Sequence, residues 1–279
     1  MKLAISNIAW NKEENTSIRE LLQRQHIPAI EIAPGIMWQD PTTVSPDEVS
    51  LVRTFWKKGG INIVAMQGLL FRQHELKLFD DTTSRKKMYD YLVKIIELAY
   101  SLGVESLIFG SPTNRIIPDS MPETNARDIA FDFFNSLGFV AQKNNVFICI
   151  EANPESYGTN FLNTSDQVLQ FVKDLDHSHI RLQLDIGAMT INKEDYASTI
   201  NKAVPFAHHV HVSEPDLKSI PQKTTDHESI SHTLLQTSYN GYVSIEMRAK
   251  SENSNIERVK KSISFLRSTY KFEQLTMNN

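Results

Sequence analysis

Four residues able to bind a metal ion or transfer a proton lie in short apolar runs in the second half of the chain. Glu151 follows VFICI and Asp185 follows RLQL. His211 lies in HHVHV, and Glu246 follows YVSI. Side chains alternate along a strand, so each of these residues faces away from its aliphatic neighbours. If the strands are adjacent, the four side chains converge.

Three carboxylates held close together repel one another and raise one another's pKa unless a cation lies between them. An oxygen-rich set with one imidazole suits an octahedral divalent ion with positions left open for substrate oxygens. The sequence therefore predicts one divalent metal ion. Mn²⁺ is the expected ion, with Mg²⁺, Co²⁺ or Zn²⁺ as alternatives, and the predicted ligands are Glu151, Asp185, His211 and Glu246.

Short apolar runs that indicate strands alternate along the chain with longer amphipathic runs that indicate helices. The predicted strands are 2–8, 29–34, 61–67, 106–112, 146–153, 181–187, 208–214 and 242–247. The predicted helices are 16–25, 46–58, 84–103, 125–143, 165–175, 194–203, 228–236 and 254–269. This repeat, without a low-complexity linker, predicts an α/β fold: a single-domain (β/α)8 TIM barrel over residues 1–272, with a flexible tail at 273–279. The alternative is a doubly wound open sheet, but the glycine-rich turn typical of that fold is replaced here by SNIAWNKEE.

Composition and charge narrow the class of protein. The 279 residues are 41% hydrophobic and 22% charged, which is enough apolar material for a full core. A formal net charge of −4, with no stripe of Lys and Arg, argues against a nucleic-acid partner. Cys149 is the single cysteine, which fits a reducing cytoplasm, and its apolar setting predicts a buried thiol. The N-terminus does not read as a signal peptide and no long apolar run predicts a membrane span, so we expect a cytoplasmic protein; homo-oligomerisation is left open.

Several segments resemble the xylose-isomerase-like TIM-barrel superfamily, and within it the sugar phosphate isomerase/epimerase group that includes the tagatose and psicose 3-epimerases. The resemblance extends over nearly the whole chain and is most specific in IEANPESYGTNFLNT (150–164), LQLDIGAMT (182–190), HVHVSEP (209–215) and VSIEMR (243–248). It implies that the metal is bound by Glu151, Asp185, His211 and Glu246. It also implies that Glu151 and Glu246 act as acid and base on opposite faces of a substrate carbon.

Two positions depart from the pattern of the 3-epimerases. Ala188 stands where those enzymes carry a histidine three residues after the strand-six aspartate. Leu217, beside Lys218, stands where they carry an arginine that binds substrate oxygens. The resemblance therefore implies metal-dependent isomerase or epimerase chemistry on a small-molecule carbohydrate or sugar derivative, and it argues against a free ketohexose as the substrate.

The two glutamates also fit this chemistry on physical grounds. Removing a proton next to a carbonyl needs a base on one face and stabilisation of the developing charge on oxygen. A divalent ion supplies that stabilisation for an enediolate, and a second carboxylic acid opposite returns the proton. The alternative is that Glu151 and Glu246 only bind the metal and that a bound water acts as the base.

Six further residues are candidates for substrate binding. They are Arg248, Lys218, Glu214, His209, Gln67 and Trp10. Arg248 lies two positions past Glu246 on the same face, where it is placed to meet an anionic or hydroxylated substrate. His209 is equally compatible with orienting a metal ligand and with filling the barrel interior. His227 is isolated in the sequence and is expected at the surface.

Two other functions stay open, and the sequence argues against a third. A lyase or dehydratase on the same barrel would use the same site but expel water. A non-catalytic barrel that binds a sugar as a sensor would use the site without turnover. A DNA repair enzyme resembling endonuclease IV would need several zinc ions and further strand-end histidines, and the ends of the first four predicted strands contain none.

Overall fold

Eight parallel strands close into a barrel, each pairing with the next along the chain and the last pairing with the first. The computed structural model describes residues 1–250 and 255–273. The strands are β1 (Lys2–Ser6), β2 (Ala29–Ile32), β3 (Asn62–Met66), β4 (Ser106–Phe109), β5 (Phe147–Glu151), β6 (Ile180–Asp185), β7 (Ala207–Ser213) and β8 (Tyr242–Glu246). The predicted TIM barrel is confirmed, and the open sheet is wrong.

Ten α-helices are described. They are α1 (Asn15–Arg24), α2 (Pro34–Met37), α3 (Pro46–Lys57), α4 (Thr82–Leu102), α5 (Glu123–Lys143), α6 (Ser165–Leu175), α7 (Ile186–Ile191), α8 (Tyr196–Ala203), α9 (His227–Gln236) and α10 (Asn255–Thr269). Local signals set their ends: Ser45 and Glu48 form a reciprocal capping box at the start of α3. Gly103, in the left-handed region, follows the last residue of α4, at the end of the predicted helix 84–103. Residue 254, where the last predicted helix begins, lies outside the described residues.

The aliphatic side chains of the strands pack outward against the helices, and each fully buried one contributes roughly 1.5–3 kcal/mol to the free energy of unfolding. Examples are Ile30, Leu182 and Val210, all fully buried. The alternate positions face the barrel axis and are strongly polar: the buried set is Ser6, Glu31, Gln67, Gln183, His209, His211 and Ser244. Barrels of this fold are usually filled by branched apolar residues. Here the layer beneath the predicted site is built largely of polar side chains.

Three further sequence expectations concern the cysteine, a membrane span and the C-terminal tail. Cys149 is buried with a free thiol, as predicted. Within the described ranges, no helix combines the length and hydropathy needed to cross a membrane. Glu273, the first residue of the predicted tail, accepts a hydrogen bond from the Met1 amino group at 3.0 Å. The rest of that tail, 274–279, lies outside the described residues.

Candidate metal centre

The four predicted metal ligands meet at the carboxyl ends of β5, β6, β7 and β8. The Nδ1 atom of His211 lies 3.2 Å from Oε1 of Glu151 and 3.3 Å from Oε2 of Glu246. It lies 3.8 Å from Oδ2 of Asp185. His211 is fully buried, and Asp185 and Glu246 are only 8% and 7% exposed. Four side chains from separate strands thus surround one nearly enclosed point.

The donor set fits a divalent cation. Although carboxylate oxygens lie on three sides of it, Nδ1 of His211 makes no hydrogen bond to any residue of the described ranges. A buried ring nitrogen without a partner is costly unless something else binds it. Glu151, Asp185 and His211 also lie close enough together to share one ion. Three carboxylates with one imidazole and no thiolate favour Mn²⁺, Mg²⁺ or Co²⁺ over structural zinc.

Three groups of the site keep their protons to higher pH than the same groups would in water. Burial raises the pKa of Asp185 well above its ordinary value, and the charges of Glu151 and Glu246 add to this. Burial also raises the pKa of Glu246. For His211, burial alone lowers the pKa, but the carboxylates of Glu31 and Glu246 outweigh it and raise the pKa well above its ordinary value. A metal ion must therefore displace protons to bind.

Asp185 is fixed by its position at the start of α7. Its Oδ1 accepts a hydrogen bond from the backbone N–H of Ala188 at 2.6 Å, and its Oδ2 accepts one from the Ser213 hydroxyl at 2.7 Å. Gly187 donates its N–H to the same Ser213 oxygen at 2.8 Å. A Cβ at Gly187 would lie 2.7 Å from that oxygen, so the close approach requires glycine. One carboxylate thus caps α7 and also faces Nδ1 of His211.

The position of the Glu151 side chain depends on the end of the neighbouring strand, β4. A Cβ at Gly110, just after β4, would lie 2.4 Å from Oε2 of Glu151, so glycine makes room for the carboxylate. Asn153 donates its side-chain amide to the same oxygen at 3.2 Å. The buried Arg115 donates to the backbone carbonyl of Glu151 at 2.8 Å, and burial lowers the pKa of this guanidinium to about 10.

Glu31 on β2 is a site residue that the sequence analysis did not identify. It is fully buried, and both its carboxylate oxygens lie within hydrogen-bonding distance of Nε2 of His211, at 3.1 and 3.0 Å. The Ser244 hydroxyl donates to Oε2 of Glu31 at 3.1 Å. The signal in the sequence was an acid between two isoleucines, in AIEI, a position where a charge is rarely buried without partners.

Two predicted substrate residues lie beneath the metal ligands, inside the barrel. Gln67 donates its amide to the Ser6 hydroxyl at 2.5 Å and approaches Oε2 of Glu31 at 3.5 Å. His209 is fully buried with Nε2 3.7 Å from Oε1 of Glu31, and neither ring nitrogen hydrogen-bonds to the part of the chain described. Burial lowers the pKa of His209 to about 3, so the ring is neutral. Both residues lie in the buried polar layer of the barrel interior.

The carboxylate of Glu214 is held by residues of the segment that follows β7. It is fully buried, with Oε1 accepting from Nε2 of His227 at 2.9 Å and Oε2 accepting from the Thr225 hydroxyl at 2.5 Å. Nδ1 of His227 lies 2.9 Å from the hydroxyl of Tyr270. The expectation that His227 lies at the surface is wrong, because its two ring nitrogens join the loop to the C-terminal segment. Glu214 therefore closes the loop after β7.

The remaining substrate candidates differ in exposure. Arg248 is exposed, and its backbone N–H donates to the Leu217 carbonyl at 2.9 Å. Lys218 is exposed and pairs with Asp216 at 3.3 Å. Both side chains are accessible on the loops around the site. Trp10, in contrast, is 2% exposed and packs against Trp56, so it belongs to the core.

Tyr157, which the sequence analysis did not single out, lies close to the site. Its hydroxyl accepts a hydrogen bond from the backbone N–H of Asp216 at 3.1 Å, which joins the loops after β5 and β7. Burial raises the pKa of Tyr157 to about 12, and the carboxylates of Asp185 and Glu246 contribute to the rise. The hydroxyl thus lies within the electrostatic field of the ligands.

Comparisons with a family model and with individual proteins agree with the barrel fold. The family model described as "Xylose isomerase-like TIM barrel" matches residues 22–269. A D-psicose 3-epimerase from Ruminiclostridium cellulolyticum is 27% identical over 107 residues, which cover 38% of this chain and only 36% of the relative's length.

Among solved structures, a D-psicose 3-epimerase from Clostridium cellulolyticum with D-tagatose superposes with a TM-score of 0.81 at 17% identity, over 98% of this chain and 100% of that one. A 3-keto-D-glucoside 4-epimerase from E. coli superposes with a TM-score of 0.80 at 17% identity, over 96% and 99% of the two chains. At these identities the superpositions show a shared fold.

Proposed function

The chain belongs to the xylose isomerase-like TIM barrel family, and from that premise we propose that it is a divalent-metal-dependent isomerase or epimerase of a sugar or sugar derivative. The observation that carries the proposal is the unpartnered Nδ1 of His211, faced by three carboxylates. The named activities of the similar proteins, D-psicose 3-epimerase and 3-keto-D-glucoside 4-epimerase, are both epimerisations of keto sugars. They support the reaction class and differ in substrate.

In this proposal, Glu151, Asp185, His211 and Glu246 hold the ion, with Mn²⁺ as the expected metal. When bound, the ion would polarise the substrate carbonyl and stabilise negative charge on its oxygen. Burial of the surrounding side chains keeps bulk water away, which strengthens these interactions.

The protein's own groups move the proton. The Glu246 carboxylate takes a proton from the carbon next to the carbonyl, and Glu151 returns a proton from the opposite side. Return of the proton to the same carbon gives epimerisation, and return to the neighbouring carbon gives isomerisation.

Solvent-deuterium exchange tests the proposal. The purified protein, loaded with Mn²⁺, is incubated in D₂O with panels of ketoses, aldoses and inososes, and deuterium in each sugar is measured by mass spectrometry. We expect metal-dependent exchange at a carbon next to a carbonyl for at least one panel member, because exchange reports proton removal whichever product forms. Product analysis then separates epimerisation and isomerisation from loss of water. A folded, metal-loaded protein that exchanges no sugar on the panels would contradict the proposal.

A further inference from the structure

We propose that Glu31 is a positioning residue that fixes the ring of His211 with its proton on Nε2, so that the lone pair of Nδ1 faces the metal ion. The inference rests on the proposed metal site but concerns a residue outside the set of ligands. Glu31 enters from β2, on the opposite side of the barrel from the ligand-bearing strands.

The hydrogen-bond geometry determines which nitrogen carries the proton. A neutral imidazole has one N–H and one lone pair, and an ionised carboxylate can only accept. Nε2 of His211 lies 3.1 and 3.0 Å from the two oxygens of Glu31, so Nε2 is the donor. The lone pair then lies on Nδ1, the atom that faces Glu151 and Glu246 at 3.2 and 3.3 Å. Metal-binding histidines commonly donate their second nitrogen to a carboxylate, which sets the tautomer and the ring orientation.

Glu31 is itself held in place. The Ser244 hydroxyl donates to its Oε2 at 3.1 Å, and the strand register pairs Ser244 directly with His211. The amide of Gln67, the residue after β3, approaches the same oxygen. Because Glu31 and His211 are both fully buried, water does not compete for the hydrogen bond between them.

An alternative interpretation of the same cluster is that it binds a second metal ion. Glu31, His209 and His211 lie close enough together to share one, with His209 Nε2 3.7 Å from Glu31 Oε1. That arrangement would require His211 to give up both ring protons in order to bridge two ions. It would also require the Glu31 carboxylate to exchange its present hydrogen bonds for the ion. The single-ion arrangement keeps every one of these bonds, and the metal content per chain distinguishes the two readings.

Metal titration of variants tests the proposal. Glu31→Leu removes the acceptor and retains a side chain of similar size, whereas Glu31→Gln retains an oxygen that can accept from Nε2. Gln183→Leu is the matched control: Gln183 is also a buried polar residue of the barrel interior, and its amide contacts no hydrogen-bond partner within the described ranges. We expect wild type and Gln183→Leu to bind one Mn²⁺ per chain with equal affinity. Glu31→Leu should bind about 10- to 100-fold more weakly, with a smaller loss for Glu31→Gln.

The tautomer provides a readout independent of catalysis. Long-range ¹H–¹⁵N correlation spectra of the metal-free protein, at a pH high enough for the His211 ring to be neutral, distinguish Nε2–H from Nδ1–H. We expect Nε2–H for His211 in wild type and in Gln183→Leu, and a shift towards Nδ1–H in Glu31→Leu. If Glu31→Leu does not fold by circular dichroism, Glu31→Gln takes its place, with weaker metal binding as the expected result.

Three results would overturn the proposal: wild-type metal affinity in the Glu31 variants, an Nδ1–H tautomer in wild type, or two ions per chain of which one is lost on changing Glu31. The last result would make Glu31 a ligand. If metal affinity depends on Glu31 but no sugar exchanges deuterium, the positioning role holds and the proposed function fails. If sugars exchange while metal affinity is unchanged in the Glu31 variants, the positioning role alone fails.

Discussion

Asp185 illustrates how one side chain is shared between the fold and the proposed chemistry. Its Oδ1 must accept from the Ala188 N–H to begin α7, so an asparagine at this position would present its NH₂ group where Oδ2 now lies, 3.8 Å from Nδ1 of His211. We therefore expect Asp185→Asn to bind Mn²⁺ about 10-fold more weakly or worse, because a charged ligand oxygen is replaced by a donor. Metal titration with elemental analysis measures this.

Asp195→Asn is the matched control for this substitution. Asp195 begins α8 in the same way, with its Oδ1 accepting from the Ser198 N–H at 2.6 Å, but it contributes no atom to the site. We expect this variant to retain wild-type metal affinity. Full metal content in Asp185→Asn under the same conditions would contradict the assignment of Asp185 as a ligand.

The two glutamates carry the second prediction at this scale. Glu246→Gln and Glu151→Gln each remove a proton-transferring group, and we expect each to slow deuterium exchange about 10²- to 10⁴-fold. The losses should not add in the double variant, because acid and base act as a unit. Metal content is measured in each variant, since both residues are proposed ligands. A variant that keeps its metal and exchanges at the wild-type rate would assign the base to another group, such as a bound water.

The third prediction concerns the substrate. Ala188 presents only a methyl group, and Leu217 lacks a charged or hydrogen-bonding side chain, where the 3-epimerases carry histidine and arginine. A site that lacks hydrogen-bond donors for sugar hydroxyls has much less preference for substrates that carry those hydroxyls. We expect no efficient epimerisation of free fructose or tagatose. Turnover of either sugar with a KM in the usual micromolar-to-millimolar range would show this reasoning to be wrong.

At the residue scale, what could be predicted depended on local alternation. The convergence of Glu151, Asp185, His211 and Glu246 follows from strand periodicity and barrel geometry, and the structure brings these residues together. Glu31 was missed because its partner, His211, is far away in the sequence. Glu214 was expected to bind substrate, but its carboxylate contacts Thr225, further along the same loop, and His227, the first residue of α9, and no periodicity connects these residues.

At the scale of elements, the long helices were predicted to within two residues at each end wherever both ends are described, whereas α2 and α7 were not predicted. Both are short: α7 has six residues, too few for an amphipathic period to be visible. The predicted strand 181–187 therefore extended two residues past Asp185, the true end of β6. The reason is physical, because the Asp185 side chain caps a new helix at this point and the chain leaves the sheet.

Gly110, the residue directly after β4, leads to a prediction about packing. Gly110→Ala would place a methyl group 2.4 Å from Oε2 of Glu151, so the carboxylate must move away from its present position. We expect weaker metal binding with little change in the far-ultraviolet circular dichroism spectrum. Metal titration and unfolding by urea measure the two effects separately.

Gly35→Ala is the control for that substitution. Gly35 follows β2 at the same end of the barrel, and an added methyl group would meet the side chain of Phe71 at 3.1 Å. Phe71 is 46% exposed and has room to move aside. We expect Gly35→Ala to bind metal as wild type does. If Gly110→Ala did the same, Glu151 would have to reach the ion from a different position.

The whole molecule was the easiest level to predict. The alternation of apolar and amphipathic runs is repeated along the entire chain, and repeated parallel strands joined by helices close into a barrel with few alternatives. What the pattern cannot show is the polar interior, in which Glu31 on β2, Gln67 just after β3 and Ser244 on β8 meet. Such a network depends on the register and stagger of the closed barrel, which only the complete fold determines.

The ion should stabilise the whole barrel, and more so as pH rises. The pKa values of Asp185, Glu246 and His211 are all raised in the metal-free protein, so these groups keep their protons to higher pH. Binding requires those protons to leave, and metal affinity therefore increases with pH until the groups are deprotonated. A ligand that binds the native state alone at 100 times its Kd adds about 2.7 kcal/mol to the free energy of unfolding. We expect a larger increase in Tm with Mn²⁺ at about pH 8 than at about pH 6, little increase for Asp185→Asn, and a wild-type increase for Asp195→Asn. Equal increases at both pH values in wild type would mean that no proton is displaced, and would contradict a site built on these three residues.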